Sequence, residues 1–334
     1  MMPAQITRMP AYSCAFVFAT LAAVAPLPLC LGQAHAQNYP ARPIRLIIPF
    51  APGGAADILG RTMAQEMTRA LGQPLVIVNK DGAGTVIGVD TAAKSAPDGY
   101  TLLLSGDAAV INTASGRKLP YDLLRDLAPL SLVYSGAQIL LVQKDSRFNS
   151  LQDLVQYAKA NPDRLKYGSS GVGTSIHLSS EIFNRAAGIK TLHVPYKGVA
   201  PAMNDLAGGH VDFVIAGTSV AIPGTRNGLY RALAIMSRQR SPLLPQVPTA
   251  TEQGAPAETG AWYGLFLPAG APPAVVNKLH AAVAAALASS EVIERFRSLG
   301  GEPMSSSQAE FASYLRAQIQ KLSALMRELN IKLE

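Results

Sequence analysis

The sequence predicts an α/β protein of two lobes, each a mostly parallel sheet flanked by helices, with the second lobe inserted into the first. Three observations predict it. Short β-branched apolar runs alternate with stretches whose apolar residues recur every three or four positions. A strand, small-residue turn and helix at residues 44–71 return as a second such unit at residues 165–187. The final helical stretches are amphipathic and follow the second unit, so their apolar faces must pack back on the first. At 334 residues the chain can build two ordinary domains.

The first 36 residues read as an export signal. Arg8 supplies the positive region, residues 11–31 are apolar but broken by Pro26 and Pro28, and Ala34-His35-Ala36 is a small-residue cleavage site. Cleavage after Ala36 leaves a mature chain from Gln37, expected in the periplasm and soluble. Cys14 and Cys30 leave with the signal, so no disulfide or thiolate-bound metal is expected. A lipid anchor at Cys30 is the rival, but Leu27-Pro28-Leu29 lacks the small residues it wants.

In the first lobe, residues 44–50 form a short buried strand interrupted by Arg45. Pro52 and Gly53-Gly54 end it. Ile58, Leu59, Met63, Met67 and Leu71 then recur at helical spacing until Gly72 and Pro74. A glycine turn ahead of a helix leaves bare N–H groups at the positive end of the helix dipole, which suits an anion. Residues 75–79 are a second strand. Gly82 and Gly84 begin a dinucleotide fingerprint, but the third glycine falls at Gly88, one place late, so no nucleotide site is expected. Pro97-Asp98-Gly99-Tyr100 is a turn, and residues 101–105 a third strand that ends at Gly106-Asp107.

Residues 130–134 and 138–142 read as successive strands. Ser150 and Asp153 have capping-box spacing for a helix stopped by Pro162. Residues 165–174 are strand then turn, followed by a helix carrying Ile176, Leu178, Ile182 and Phe183 up to Gly188. Strands follow at 191–196, 211–217 and 231–236, with a short helix opened by Pro201. Residues 262–268 form an apolar strand with the single Trp; Pro272-Pro273 opens a helix at 275–287, and an amphipathic helix spans 308–329. Segments 133–142 and 262–267 are the expected connections. The expected division is residues 1–36 as signal, 37–138 plus 262–334 as lobe 1, and 139–261 as lobe 2. Ligands bind outside the carboxyl ends of strands in such sheets, here between the lobes.

The net charge of +7 is spread without basic runs, so nucleic acid is not expected. Five scattered histidines supply no metal-ligand spacing, and no metal or cofactor is expected. A serine hydrolase would need G-x-S-x-G; Gly168-Ser169-Ser170-Gly171 comes near, but Val172 stands at the last position, and no enzyme is expected.

Seven segments, in order, carry a family resemblance: Tyr39-Pro40-Ala41-Arg42-Pro43-Ile44-Arg45, Pro49-Phe50-Ala51-Pro52-Gly53-Gly54-Ala55-Ala56-Asp57, Pro97-Asp98-Gly99-Tyr100-Thr101-Leu102, Leu119-Pro120-Tyr121-Asp122, Tyr167-Gly168-Ser169-Ser170-Gly171-Val172-Gly173-Thr174, His193-Val194-Pro195-Tyr196-Lys197-Gly198 and Pro268-Ala269-Gly270. The chain resembles the Bug family, the periplasmic solute-binding proteins of tripartite tricarboxylate transporters (TctC-like). That resemblance implies a type II-like periplasmic binding protein fold. It implies a monomer that traps a small carboxylate, a mono- or dicarboxylate or an amino acid, and delivers it to membrane permease subunits. A sensor that docks a signalling receptor is the alternative. Two departures stand out. Where the family has a His-Ala-Ile-Asn-Pro-like stretch this chain has Ala108-Ala109-Val110-Ile111-Asn112-Thr113, without the His or the Pro, and a family Arg-Pro reads Lys80-Asp81.

Resemblance and physics choose the same carboxylate-binding segments. Pro52, Gly53, Gly54 and Ala56 offer main-chain donors; Ser105 and Gly106 add a hydroxyl and an N–H; Ser169, Ser170 and Thr174 face them from the other lobe. Charge-assisted bonds contribute about 1.5–3 kcal/mol each, so three or four suffice without Arg or Lys. Asp57 fits two readings, a carboxylate stabilising its own helix or a partner for a ligand ammonium or a water. Asp212 either pairs with Lys197 or lines the cleft. Ser170 and Thr174 also fit helix capping. His177 and Trp262 fit packing.

Overall fold

The computed structural model describes residues 39–331. Its first half-sheet is built from β1 (Ile44–Ile48), β2 (Leu75–Asn79) and β3 (Thr101–Gly106), all parallel. Strand β4 (Leu127–Gln143) joins this half-sheet through β9 (Gly260–Pro268), which runs antiparallel to both β3 and β4. The second half-sheet contains β5 (Lys166–Ser169), β6 (Leu192–Pro195) and β7 (Phe213–Gly217), parallel to one another; β7 lies antiparallel to β4. The order is β2-β1-β3-β9-β4-β7-β5-β6, with β8 (Tyr230–Ile235) and β10 (Gly301–Pro303) also on β4. Parallel pairing is thus confined to the outer strands, and each half meets β4 through antiparallel pairs.

Residues 130–134 and 138–142, expected as two strands, belong to one 17-residue strand. Its first part, up to Ala137, pairs with β9, and from Gln138 onward it pairs with β7 and β8. The apparent break comes from Ser135-Gly136-Ala137, where small residues interrupt the apolar pattern without ending the pairing.

The period of two along each strand sorts the cores. In β1, Ile44, Leu46 and Ile48 face the core shared with α1 (Ala55–Leu71), α9 (Pro273–Leu287) and α10 (Ser290–Ser298), whereas Ile47 faces the opposite core. That opposite core holds α2 (Val86–Ala93), α3 (Asp107–Ala114) and the long α11 (Gln308–Glu328). Phe311, Leu315, Leu322 and Met326 of α11 return to the first half-sheet, as amphipathicity required. In the second half, Leu140 and Val142 face one core and Ile139 and Leu141 the other. Helices α5 (Leu151–Ala160), α6 (Ser175–Ala187), α7 (Val199–Ala207) and α8 (Thr218–Arg226) cover that half, and α4 (Leu123–Asp126) is a single turn before β4. Ser150 and Asp153 form the expected capping box. Among the described residues no helix is long and apolar enough to cross a membrane. The expected signal, its cleavage after Ala36 and both cysteines lie outside the described residues.

Candidate functional site

Strand directions decide where a ligand can sit. β4 runs parallel to β1 and β3 and antiparallel to β5, β6 and β7. The carboxyl ends of the two half-sheets therefore point at one another along β4. Through β9, Gly106 at the end of β3 lies level with Tyr134, and Gly217 at the end of β7 lies level with Gln138. Four residue steps along β4 separate these levels, about 13 Å at strand rise, a gap of small-molecule size. Ser135, Gly136 and Ala137 floor it, opposite Gly260–Trp262 of β9.

The turns that close this gap share one trait. Helices α1, α3, α7 and α8, which follow β1, β3, β6 and β7, each start on a glycine: Gly54, Gly106, Gly198 and Gly217. None of the four has a side-chain cap. Four other helices are capped by side chains, α4 by Asp122, α5 by Ser150, α10 by Ser289 and α11 by Ser307, whereas α2 starts at Thr85 and α9 at Pro272 without a side-chain cap. The four glycine starts place bare first-turn donors at the facing edges, where the helix dipoles add partial positive charge. A Cβ at Gly198 or Gly217 would meet nothing within 4 Å. Gly106 is different: a Cβ there would stand 2.2 Å from the Trp262 carbonyl, so only glycine lets β9 pass.

The expected residues distribute unevenly. Pro52, Gly53 and Gly54 are exposed at the end of β1, and Ala56 is buried in the first turn of α1. The Gly53 N–H, expected to meet a ligand, is already bonded to Asp57 Oδ2 at 3.0 Å. Asp57 is buried and also accepts from Arg61 Nε at 2.9 Å and Asn79 Nδ2 at 3.0 Å. The Arg61 bond, with help from Gly53 and Asn79, pulls its carboxyl down to about 2. Of its two readings, the helix-stabilising one matches these contacts, because both oxygens are engaged within the protein. Ser105 is fully buried and its hydroxyl has no partner; Gly106 is buried behind it. Asp212 does not join this group. It precedes β7 at the amino end, away from the gap, and accepts from the Lys166 N–H at 2.7 Å rather than pairing with Lys197.

The second-lobe turn rests on a buried stack. The His177 and His193 rings stack nearly parallel with centroids 4.0 Å apart, and Tyr167 stacks on His193 at 4.8 Å. The Gly173 N–H donates to His177 Nδ1 at 2.9 Å, and Ser169 Oγ bonds His193 Nε2 at 2.6 Å. Burial first, then the neighbouring ring, pushes His177 down to about 4; burial also lowers His193. Ser169 is fully buried, so its pairing with His193 anchors the turn and offers no nucleophile to a substrate. Thr174 caps α6, accepting from the His177 N–H and donating to Gly171 at 2.8 Å. Ser170, half-buried, is the turn's remaining hydroxyl. Trp262 packs edge-on against Phe311 and Tyr314.

Two cavities open along the α3–α6 side. One, of about 550 Å³, is lined by Gly84, Asp107, Asn112 and Arg117 from one half and Val172 to Ser175 from the other. The other, of about 530 Å³, lies above the β4 floor, walled by α11 residues including Tyr314 and Lys321. Asp107 and Ser175 line both. Sequence reasoning passed over Asp107, Arg117, Ser175, Gly198 and Gly217. The glycines carry the same signal as Gly54, a glycine between strand and helix; Asp107 and Arg117 carry no local signal. Among the described residues no group of three or more His, Cys, Asp or Glu side chains is placed to hold a metal.

Comparison with known proteins follows this geometry. The family model described as "Tripartite tricarboxylate transporter family receptor" matches residues 59–331. The chain is 37% identical to Protein BugT of Bordetella pertussis (strain Tohama I) over 302 residues, 90% of this chain and 93% of BugT. Two solved structures are similar: R. palustris Rpa4515 with adipate, at 33% identity, TM-score 0.77 and 88% and 99% coverage of the two chains; and MatC from Rhodopseudomonas palustris with bound malate, at 33%, 0.73, and 86% and 99%.

Proposed function

We propose, from the premise that this chain belongs to the tripartite tricarboxylate transporter family of receptors, that it captures a small organic carboxylate between its two half-sheets and presents it to a membrane permease. The family consists of periplasmic solute-binding receptors, not enzymes. The observation that carries the reading is the set of four helices, α1, α3, α7 and α8, that start at the facing strand ends on a glycine without a side-chain cap; α6, at the same edge, is capped by Thr174. A carboxylate set among those donors replaces the missing caps with charge-assisted bonds. Gly54, Ala56 and Gly106 would act from one side, and Ser170, Gly198 and Gly217 from the other. Adipate on Rpa4515 and malate on MatC set the chemical range. Drawing the two edges together around the ligand would create the surface a permease reads. On this reading the chain is exported, with cleavage after Ala36, and acts as a monomer.

A thermal-shift panel of mono- and dicarboxylates, hydroxy acids and amino acids tests it. A ligand at a hundredfold excess over its Kd adds about 2.7 kcal/mol, which raises Tm by roughly 5 °C or more in a chain of this size. Absence of any shift across the panel, confirmed by calorimetry, removes the reading.

A further inference from the structure

We propose that a cavity at the outer end of the second half-sheet, edged by Lys144 and Arg231, is an anion site for a doubly charged oxyanion: a phosphate group, free or on a small ester. It is separate from the carboxylate gap, and the receptor reading does not depend on it.

The sheet brings the two cations together. β4 ends at Gln143, five residue steps beyond Gln138 at the gap, about 16 Å at strand rise. β8 runs antiparallel beside it, with Arg231 paired to Val142. Lys144 follows two residues after Val142, and it lines with Arg231 a cavity of about 540 Å³. Thr225 and Gly228, at the end of α8, and the Val247-Pro248 loop complete the wall. Every lining residue lies between 144 and 253, so the cavity belongs to one half of the molecule, and no Asp or Glu lines it.

Neither cation has a counter-ion. Among the described residues neither takes part in a salt bridge, although ten other pairs do. Arg231 is half-buried and fixed from one side only. Its Nη1 donates to the carbonyls of Ser146 at 3.1 Å and Phe148 at 2.9 Å and to Asn149 Oδ1 at 2.8 Å. These neutral acceptors position the guanidinium without balancing its charge. Its other edge, Nε and Nη2, bonds nothing among the described residues, and that edge is the one that pairs with two oxygens of an oxyanion. Lys144 is exposed, and its Nζ lies 3.6 Å from where a Cβ on Gly228 would stand. The nearby acids do not serve the pair. Asp153 accepts from the Asn149 and Ser150 N–H groups, and Asp145 lines no part of the cavity.

A third group points the same way. The Thr225 hydroxyl is shielded from solvent and has no partner. An unbonded buried hydroxyl in a cavity wall is explained by an occupant. The other polar side chains are committed: the Tyr230 hydroxyl donates to the Met203 carbonyl at 3.1 Å, and Gln253 accepts from the Leu151 N–H and donates to the Leu233 carbonyl. What stays open is an ammonium, a guanidinium edge and a hydroxyl, from the ends of β4, β8 and α8. Two positive charges call for two negative ones, and donors from three directions suit a tetrahedral oxyanion better than a planar carboxylate. The volume exceeds that of a bare phosphate, and Val247 and Pro248 offer an apolar wall for a small ester group.

The experiment is an NMR titration of the nitrogen-15-labelled mature chain with inorganic phosphate, glycerol 3-phosphate and acetate, at ionic strength held constant with chloride. Phosphate should move the amides of Thr225, Gly228 and Arg231 saturably and leave those of Gly53, Gly54 and Gly106 in place. Acetate should give no saturable shift at those three positions. Arg231→Gln should weaken phosphate by about tenfold and Lys144→Gln by about fivefold, near one charge-assisted bond each. Lys144 is exposed and bonds nothing in the fold among the described residues, so Lys144→Gln decides the matter should Arg231→Gln not fold. Saturable binding of either phosphate supports the site, and the tighter of the two names its form. Shifts that follow acetate as closely as phosphate overturn the inference, as does an affinity unchanged in Lys144→Gln or saturation at the gap glycines alone. None of these results touches the carboxylate receptor.

Discussion

The turns after β1 and β5 have the same sequence outline, strand then glycines then helix, and are held in opposite ways. The β1–α1 turn is pinned by charge: Asp57 gathers Gly53, Arg61 and Asn79, and Gly54 is left uncapped with its neighbours' donors free. The β5–α6 turn is pinned by neutral rings: Tyr167, His193 and His177 stack beneath it, and Thr174 takes up the His177 N–H at the start of α6. The difference is one of division of labour. In the first lobe the turn itself keeps bare donors, whereas in the second these pass to Gly198 and Gly217. A glycine turn marks a place where a site can form; the residues beneath it decide whether its donors stay free.

The two anchors should fail at different pH, and the histidine stack should fail first and by more. His177 is held near 4 against about 6.5 when unfolded, so the unfolded chain binds the extra proton between those values. Stability is full above about pH 6.5 and falls as pH drops toward 4, by about 3 kcal/mol for this group alone. Urea midpoints from pH 7.5 to 4 measure it, and His177→Gln, which can keep an acceptor for the Gly173 N–H, should flatten the slope. Equal slopes in the two proteins would show that the stack is not what separates the turns.

Asp57 is lowered from 3.8 to about 2 in the folded chain. Its contribution is present above about pH 4 and lost as pH falls toward 2, about 1–2 kcal/mol after allowing for the exposed Arg61 partner. Asp57→Ala should cost more, about 2–3 kcal/mol at pH 7, because the Gly53 N–H, Asn79 and Arg61 all lose their acceptor. Denaturant unfolding reads this directly. A cost under 0.5 kcal/mol would mean that the turn holds its shape without the charge. Thr174→Ala in the other turn should cost about 1 kcal/mol, the usual value for a helix cap.

Much of this fold was legible because each element states its own period. The spans of α1, α9 and α11 follow their apolar spacing. What escaped is physical in origin. α8 carries Pro223 and Gly224 inside it and is held by burial, not propensity. β4 continues through Ser135-Gly136-Ala137 because β9 supplies the pairing. Glycine punctuation located the turns at Gly53-Gly54 and at Gly106. The cavity that Asp107 and Arg117 line arises only when the end of β3 and the loop before α4 are brought beside the β5–α6 turn. Asp212 was misplaced for a related reason: an acid beside a strand looks the same at either end until the strand direction relative to the gap is known.

The smallest expected effect on stability is also the sharpest test of the contrast between the turns. Gly54 is the N-cap of α1 with extended backbone, φ −78° and ψ 173°, and a Cβ there would meet only the Ala51 carbonyl at 3.8 Å. Serine therefore fits without strain, and its hydroxyl can accept from the bare N–H groups two or three residues on. Gly54→Ser should stabilise the chain by a few tenths of a kcal/mol. The same hydroxyl competes for donors that the carboxylate would otherwise use, so ligand affinity should fall by about fivefold to tenfold, close to one charge-assisted bond weakened. Thr174→Ser, which preserves a cap already present, should change neither quantity. Unchanged affinity in Gly54→Ser would place the carboxylate away from the β1–α1 turn, and the donors of Gly106, Gly198 and Gly217 would then have to hold it.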